Sequence, residues 1–205
     1  MPDGDYPVHF SVDYPDRPLN RLTTFFRIFT AIPILILLAT IGGGVARFGP
    51  GTIAAGGSGL LFLPPLLMIL FRRKYPRWWF DWNLELLRFS NRIYIYLALM
   101  DDRYPSTDEG QSVRLDFPYP DAERDLNRWL PLVKWFLAIP HYIVLVALWL
   151  LAFFCVVIAW FAVLFTGRYP QGLFGIVESV IRWGNRVSAY AFLLVTDRYP
   201  PFSFS

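Results

Sequence analysis

A chain of 205 residues that is 55% hydrophobic, 19% aromatic and only 17% charged falls below the roughly 25% charge of soluble domains and has the composition of a membrane protein. The formal charge of +3 is too small to name a partner, and the aromatics that accompany the basic residues belong to apolar segments, which argues against nucleic acid. A single cysteine, Cys155, excludes both an intrachain disulfide framework and a thiolate metal cluster.

The amino terminus, "MPDGDYPVHFSVDYP", lacks the basic start and apolar run of a cleaved signal peptide, so the first residues are expected to stay in the cytoplasm. Within it "VHFSVDY" alternates apolar with polar, as "SVRLDF" does later. Both read as short strands outside the membrane, which would pair about a pseudo-twofold axis.

Two apolar blocks follow in turn. Ile28 to Ala46 carries no charge, and Trp135 to Gly167 runs 33 residues without one, beyond the roughly 18 that mark a transmembrane candidate. The first block leads into "GGGVARFGPGTIAAGGSG", which reads as a loop; without a Gly-Lys-Ser/Thr ending it is not a phosphate cradle. After each block comes an amphipathic stretch, Arg77 to Met100 and Gly172 to Thr196. Asp81, Glu85, Arg88 and Arg92 form one helical stripe in the first, and Glu178, Arg182, Asn185 and Arg186 repeat it in the second. Such helices are expected in the membrane interface or against a partner.

This order is written twice. "YPDRPLNRLTTFFRIFTAIP" lies over "YPDAERDLNRWLPLVKWFLAIP" at offsets rising from 105 to 107, "RRKYP" over "TGRYP" and "RFSNR" over "RWGNR" at 94, and "DRYP" over "DRYP" at 95. The chain therefore reads as two repeats, 1–106 and 107–205, each a strand, an apolar hairpin and an amphipathic helix. Seven of eleven tyrosines precede proline. Proline keeps the residue before it out of helical geometry, and tyrosine suits the headgroup level, so Tyr75, Tyr104, Tyr169 and Tyr199 are expected as interfacial anchors where helices stop.

Every Lys and Arg except Arg47 lies outside the apolar blocks or at their ends, which places both ends of both blocks on the cytoplasmic side. Each block must then turn round. Pro33 to Tyr75 is 42 residues and Pro140 to Tyr169 only 29, and an insertion of that size is tolerated in a loop but not inside a lipid-crossing helix. A turn is therefore expected near Leu150 to Phe154 as well, although "LWLLAFF" holds no Gly, Pro or charge; the competing picture is one long helix kinked at Pro140.

No phosphate loop, His-Glu-x-x-His, cysteine pair or Gly-x-Ser-x-Gly appears, so no catalytic residue, cofactor or metal is assigned. His9 reads as surface and His141 as a structural histidine. The best polar constellation is Glu85, Arg88, Asn91 and Arg92 with Glu178, Arg182, Asn185 and Arg186. It would either hold an acidic lipid headgroup or form an internal Glu-Arg network at helical spacing, the second being preferred. Asp102 with Arg103, and Asp197 with Arg198, are expected to brace helix ends.

The stretches "WFAVLFTGRYPQGLF" and "RWGNRVSAYAFLLVTDRYPPF" resemble the bacterial membrane family called domain of unknown function 4389. The resemblance runs from Val113 to Ser205, with a degraded form over Pro7 to Pro105 in which "FTG" has become "FRR" at Phe71 to Arg73. It implies an integral membrane protein without an assigned catalytic residue, cofactor or substrate. The fold expected is all-α with a small strand element, in a bacterial cytoplasmic membrane, multi-pass, with both termini cytoplasmic. Its expected work is that of a non-enzymatic scaffold or accessory subunit, bound to membrane lipids and to other membrane subunits or copies of itself. A small transporter or channel for ions or lipids is the alternative, and a lipid-modifying enzyme the third.

Overall fold

The computed structural model describes residues 6–41, 63–106 and 111–204. In chain order the elements are β1 (His9–Val12), α1 (Arg21–Phe25), α2 (Arg27–Ile41), α3 (Leu63–Arg72), α4 (Arg77–Leu97), β2 (Val113–Asp116), a 3-10 turn (Leu130–Leu132), α5 (Lys134–Leu137), α6 (Ile139–Thr166) and α7 (Gln171–Ala191). The glycine-rich stretch read as a loop, and Arg47 within it, lie outside the described residues.

The alternation read in the two short strands is realised as a two-stranded antiparallel ladder. His9 faces Asp116, Phe10 faces Leu115 and Val12 faces Val113. Phe10 and Leu115, 105 apart like the Tyr14 and Tyr119 segments that follow them, therefore sit opposite each other. Phe10, Val12 and Leu115 turn into the core while His9 and Ser11 face out, as a pleat with one covered face requires.

The expected turn at Leu150 to Phe154 is absent. Helix α6 runs unbroken for 28 residues, roughly 42 Å at 1.5 Å per residue. A run without Gly or Pro contains nothing to stop a helix, and that local signal outweighs the length difference between the two blocks. Pro140 occupies the first turn of α6 and leaves its path intact, since that position has no intrahelical donor to lose. The reversal comes one step later, at Gly167 to Pro170, after which α7 folds back along α6. His141, Leu145, Ala152, Cys155, Ala159 and Val163 mark the buried stripe of α6, at the spacing of one helix face, and Leu145 packs, with the N-cap Ala138, against Trp183, Val187 and Tyr190 of α7.

Helix stops have a common form. The residues with positive φ are Arg73 (51°), Leu99 (63°), Gly167 (74°) and Leu194 (59°) among the described residues, and they stand two or five positions before Tyr75, Tyr104, Tyr169 and Tyr199. A left-handed residue follows each of α3, α4, α6 and α7: the Gly167 amide closes on the Val163 carbonyl at 2.8 Å, and the Arg73 amide on Ile69 at 3.2 Å. Proline then opens the next helix, Pro76 and Pro170 being the N-caps of α4 and α7.

The tyrosines of these turns divide into two kinds. Tyr104 and Tyr199 are exposed, but Tyr75 and Tyr169, expected at the headgroup level, are 3% and 1% exposed and belong to the core. The Tyr75 hydroxyl donates to the Leu193 carbonyl at 2.7 Å. Tyr14 donates to the Tyr169 carbonyl, and Tyr119 to the Tyr75 carbonyl. Those bonds draw the turns inward, which local sequence could not reveal.

Candidate functional site: the polar seam between two amphipathic helices

Helices α4 and α7 meet at Asn91 and Asn185, whose side chains exchange amide hydrogen bonds of 2.9 and 2.8 Å. Asn91 is fully buried and Asn185 nearly so. Each amide offers one donor and one acceptor to the other, so neither is left unsatisfied across the contact.

The carboxylate-arginine pairs flank this seam. Glu178 pairs with Arg182 at 2.6 Å, and Arg182 Nε donates to the Phe10 carbonyl at 3.0 Å and Nη1 to Phe204 at 3.3 Å. The Val12 amide donates to Glu178. On the other helix Glu85 pairs with Arg88 at 2.6 Å, and Arg88 Nε donates to Leu115 at 2.9 Å. Each pair thus holds one strand: α7 holds β1 and α4 holds β2. Arg88 and Arg182 thus direct their guanidinium donors to their own carboxylates and to protein carbonyls. Arg92 donates to the Ser106 carbonyl at 2.6 Å, and Arg186, buried, lies over the Tyr6 ring at 5.7 Å.

A second set of contacts was not legible in the sequence. Asp102 pairs with buried Arg27 at 2.6 Å and receives the Asn20 amide at 2.6 Å. Asp197 pairs with fully buried Lys134 at 2.6 Å and receives the Asn127 amide at 2.5 Å. Asp102 and Asp197 do brace helix ends, but with partners 75 and 63 positions away rather than with the neighbouring arginines; Arg103 turns instead to Asp101 at 3.1 Å. Burial pushes the Lys134 ammonium below the ordinary lysine range, and the Asp197 carboxylate opposes that shift. Burial alone would raise Asp101; the Ser112 hydroxyl, the Arg103 amide and the Arg103 charge outweigh it and hold the carboxyl below its ordinary range.

Beside the seam, between α4, α6 and α7, lies a cleft of about 850 Å³ lined mostly by apolar groups, among them Trp79, Tyr94, Tyr142 and Trp149, with Asn91 and Asn185 in its wall. Its size falls in the usual range of small-molecule sites, about 300–1,000 Å³. His141 is fully buried, accepts at Nδ1 from the Trp183 indole at 3.1 Å and stacks on Phe202 at 4.0 Å. It ties the C-terminal segment to α6 and α7. His9 is exposed on β1. Among the described residues no group of three or more His, Cys, Asp or Glu is placed to hold a metal.

Over α2 and α6 the exposed surface is apolar. Helix α6 is the described helix long and apolar enough to cross a membrane, with a mean hydropathy of 2.9 over its best window, and only 22% of that window is buried. Ile143, Val146, Phe153, Phe161 and Phe165 are half or more exposed, as are Ile28, Phe29 and Ile36 on α2.

Comparison with known proteins finds no matching curated protein and no matching solved structure. Residues 129–203, from the 3-10 turn's approach through α7 to the C-terminal segment, match the model of the family described as Domain of unknown function (DUF4389), in support of the resemblance read from the same stretch.

Proposed function

We propose that this is a membrane-embedded protein made of two copies of one unit. On this reading it acts as a non-enzymatic scaffold or accessory subunit of a larger assembly in a bacterial cytoplasmic membrane. The observation that carries the membrane reading is α6: a soluble protein's core helix of that hydropathy would be mostly covered, and this one is 22% buried in its most apolar window. An exposed apolar surface running over α2 and α6 calls for hydrocarbon or partner helices.

The two-copy reading is supported by contacts that recur in pairs. Glu85-Arg88 holding β2 matches Glu178-Arg182 holding β1, Arg27-Asp102 matches Lys134-Asp197, and Tyr119 on the Tyr75 turn matches Tyr14 on the Tyr169 turn. The scaffold reading is supported by where the helix-borne polar groups of the seam go: they bind the chain to itself, and α2 and α6 leave an apolar face for lipids and neighbouring subunits. The cleft against Asn91 and Asn185 favours a second reading, a passage or lodging for ions or lipids in a homo-oligomer.

Purification from membranes in a mild detergent, followed by native mass spectrometry, separates these. A defined stoichiometry with a different subunit is the expected result. A homo-oligomer alone favours the second reading, and recovery of the chain in the aqueous fraction without detergent refutes the membrane reading.

A further inference from the structure

We propose that α6 does not cross the bilayer but lies along the membrane plane, sunk into the cytoplasmic leaflet, with the β1-β2 ladder held in water on the same side. This rests on the membrane reading above and adds the geometry of the contact. Three observations carry it.

Helix α7 is sandwiched between the ladder and α6. Its Glu178 and Arg182 bind β1, whereas Trp183 meets His141 and Gly184 approaches Trp149 of α6. Arg182 and Gly184 stand about 200° apart around a helix of 3.6 residues per turn, so the ladder and α6 occupy opposite faces. The ladder touches the middle of α7, and α6 runs alongside that helix. Were α6 to stand along the bilayer normal, the ladder would be carried to the level of the hydrocarbon. There it would place exposed His9 and Ser11 and the open Arg114-Asp13 pair, whose side chains are 74% and 57% exposed, where charge is least tolerated. With α6 in the plane, the same residues face water.

The cations agree. Arg128 precedes α6, and Arg168 follows it with the Arg21 guanidinium beside Gly167. A crossing helix shows its basic residues at one end, and an unbroken α6 with cations at both ends is accommodated when both ends lie at one surface. The apolar face is continuous as well, from Ile143, 69% exposed, to Phe165, 76% exposed, with no polar interval. At roughly 42 Å, α6 also exceeds the hydrocarbon thickness of about 30 Å.

The test uses single cysteines at exposed positions of the full chain: Phe136→Cys ahead of α6, Arg168→Cys behind it, Ser11→Cys on the ladder and Val146→Cys on the apolar face. The native Cys155 is buried. In inside-out membrane vesicles a membrane-impermeant maleimide is expected to label the first three to a similar extent, and Val146→Cys at least about tenfold more slowly. Carbonate washing should leave all four variants in the membrane. Labelling of Phe136→Cys and Arg168→Cys from opposite sides overturns the in-plane arrangement while leaving the membrane reading standing. Rapid labelling of Val146→Cys together with release by carbonate overturns both.

Discussion

Replacing Asp197 by Asn isolates one charge at a known cost. Lys134 is fully buried, its Nζ 2.6 Å from Asp197 Oδ1 and 2.7 Å from the Thr196 carbonyl, and Asn keeps the shape and an acceptor for the Asn127 amide. What is lost is the countercharge of a buried ammonium, an effect of about 3–5 kcal/mol when one partner of a buried pair is removed. Asp197 is 21% exposed on its side chain, so screening sets the expected loss near the lower end, about 3 kcal/mol. Replacing both partners, Lys134→Met with Asp197→Asn, should recover most of it, because no charge remains to be neutralised. Denaturation in detergent micelles, followed by far-UV circular dichroism and tryptophan emission, gives the double-mutant cycle. The pH dependence has a definite sign. A lysine whose value is lowered on folding leaves the unfolded chain binding more protons over the window between the two values, so stability should rise with pH up to the ordinary lysine range, about 10.4, and Lys134→Met should abolish that rise. A loss below about 0.5 kcal/mol for Asp197→Asn, or a double variant no better than the single one, would refute the reasoning.

Further outcomes follow from the same geometry. Arg73 holds a left-handed φ of 51° where the corresponding residue behind α6 is Gly167, so Arg73→Gly should stabilise by about 1 kcal/mol and Gly167→Ala should cost a similar amount, read as shifts in the denaturation midpoint. Asn185→Leu leaves the Asn91 amide buried without its partner and should cost about 1–3 kcal/mol; adding Asn91→Leu should restore part of it, and a strictly additive pair would contradict the reciprocal bond. Asp101 is held below its ordinary range, so its contribution is present above about pH 4 and is lost as pH falls through the lowered value. Asp101→Asn should therefore flatten the acid limb of the stability profile.

The parts legible in the sequence were those set by short-range period. Alternation in "VHFSVDY" and "SVRLDF" marked the strands, and steps of three and four marked Glu85-Arg88 and Glu178-Arg182, because pleat and helix pitch dictate which neighbours share a face. The turn expected near Leu150 to Phe154 is not formed, because seven residues with no helix-stopping chemistry outweigh a length difference between the two blocks. The Lys134-Asp197 and Arg27-Asp102 pairs, and the burial of Tyr75 and Tyr169, depend on partners from 44 to 155 positions away. No local pattern carries that information. The repeated "DRYP" was the one available trace of it, since its first residue is the carboxylate that meets the buried cation in each half.

Immersion of the uncovered α6 face in hydrocarbon underlies both the membrane reading and the in-plane arrangement. Spin labels at Ile143, Leu150, Phe154, Ile158 and Phe165, all more than half exposed, in protein reconstituted into bilayers, report collision with oxygen, which concentrates in lipid, and with a water-soluble nickel chelate. High oxygen and low nickel accessibility at all five, with little change in depth along the helix, is the predicted result. Ready collision with the nickel chelate along the whole face would contradict it.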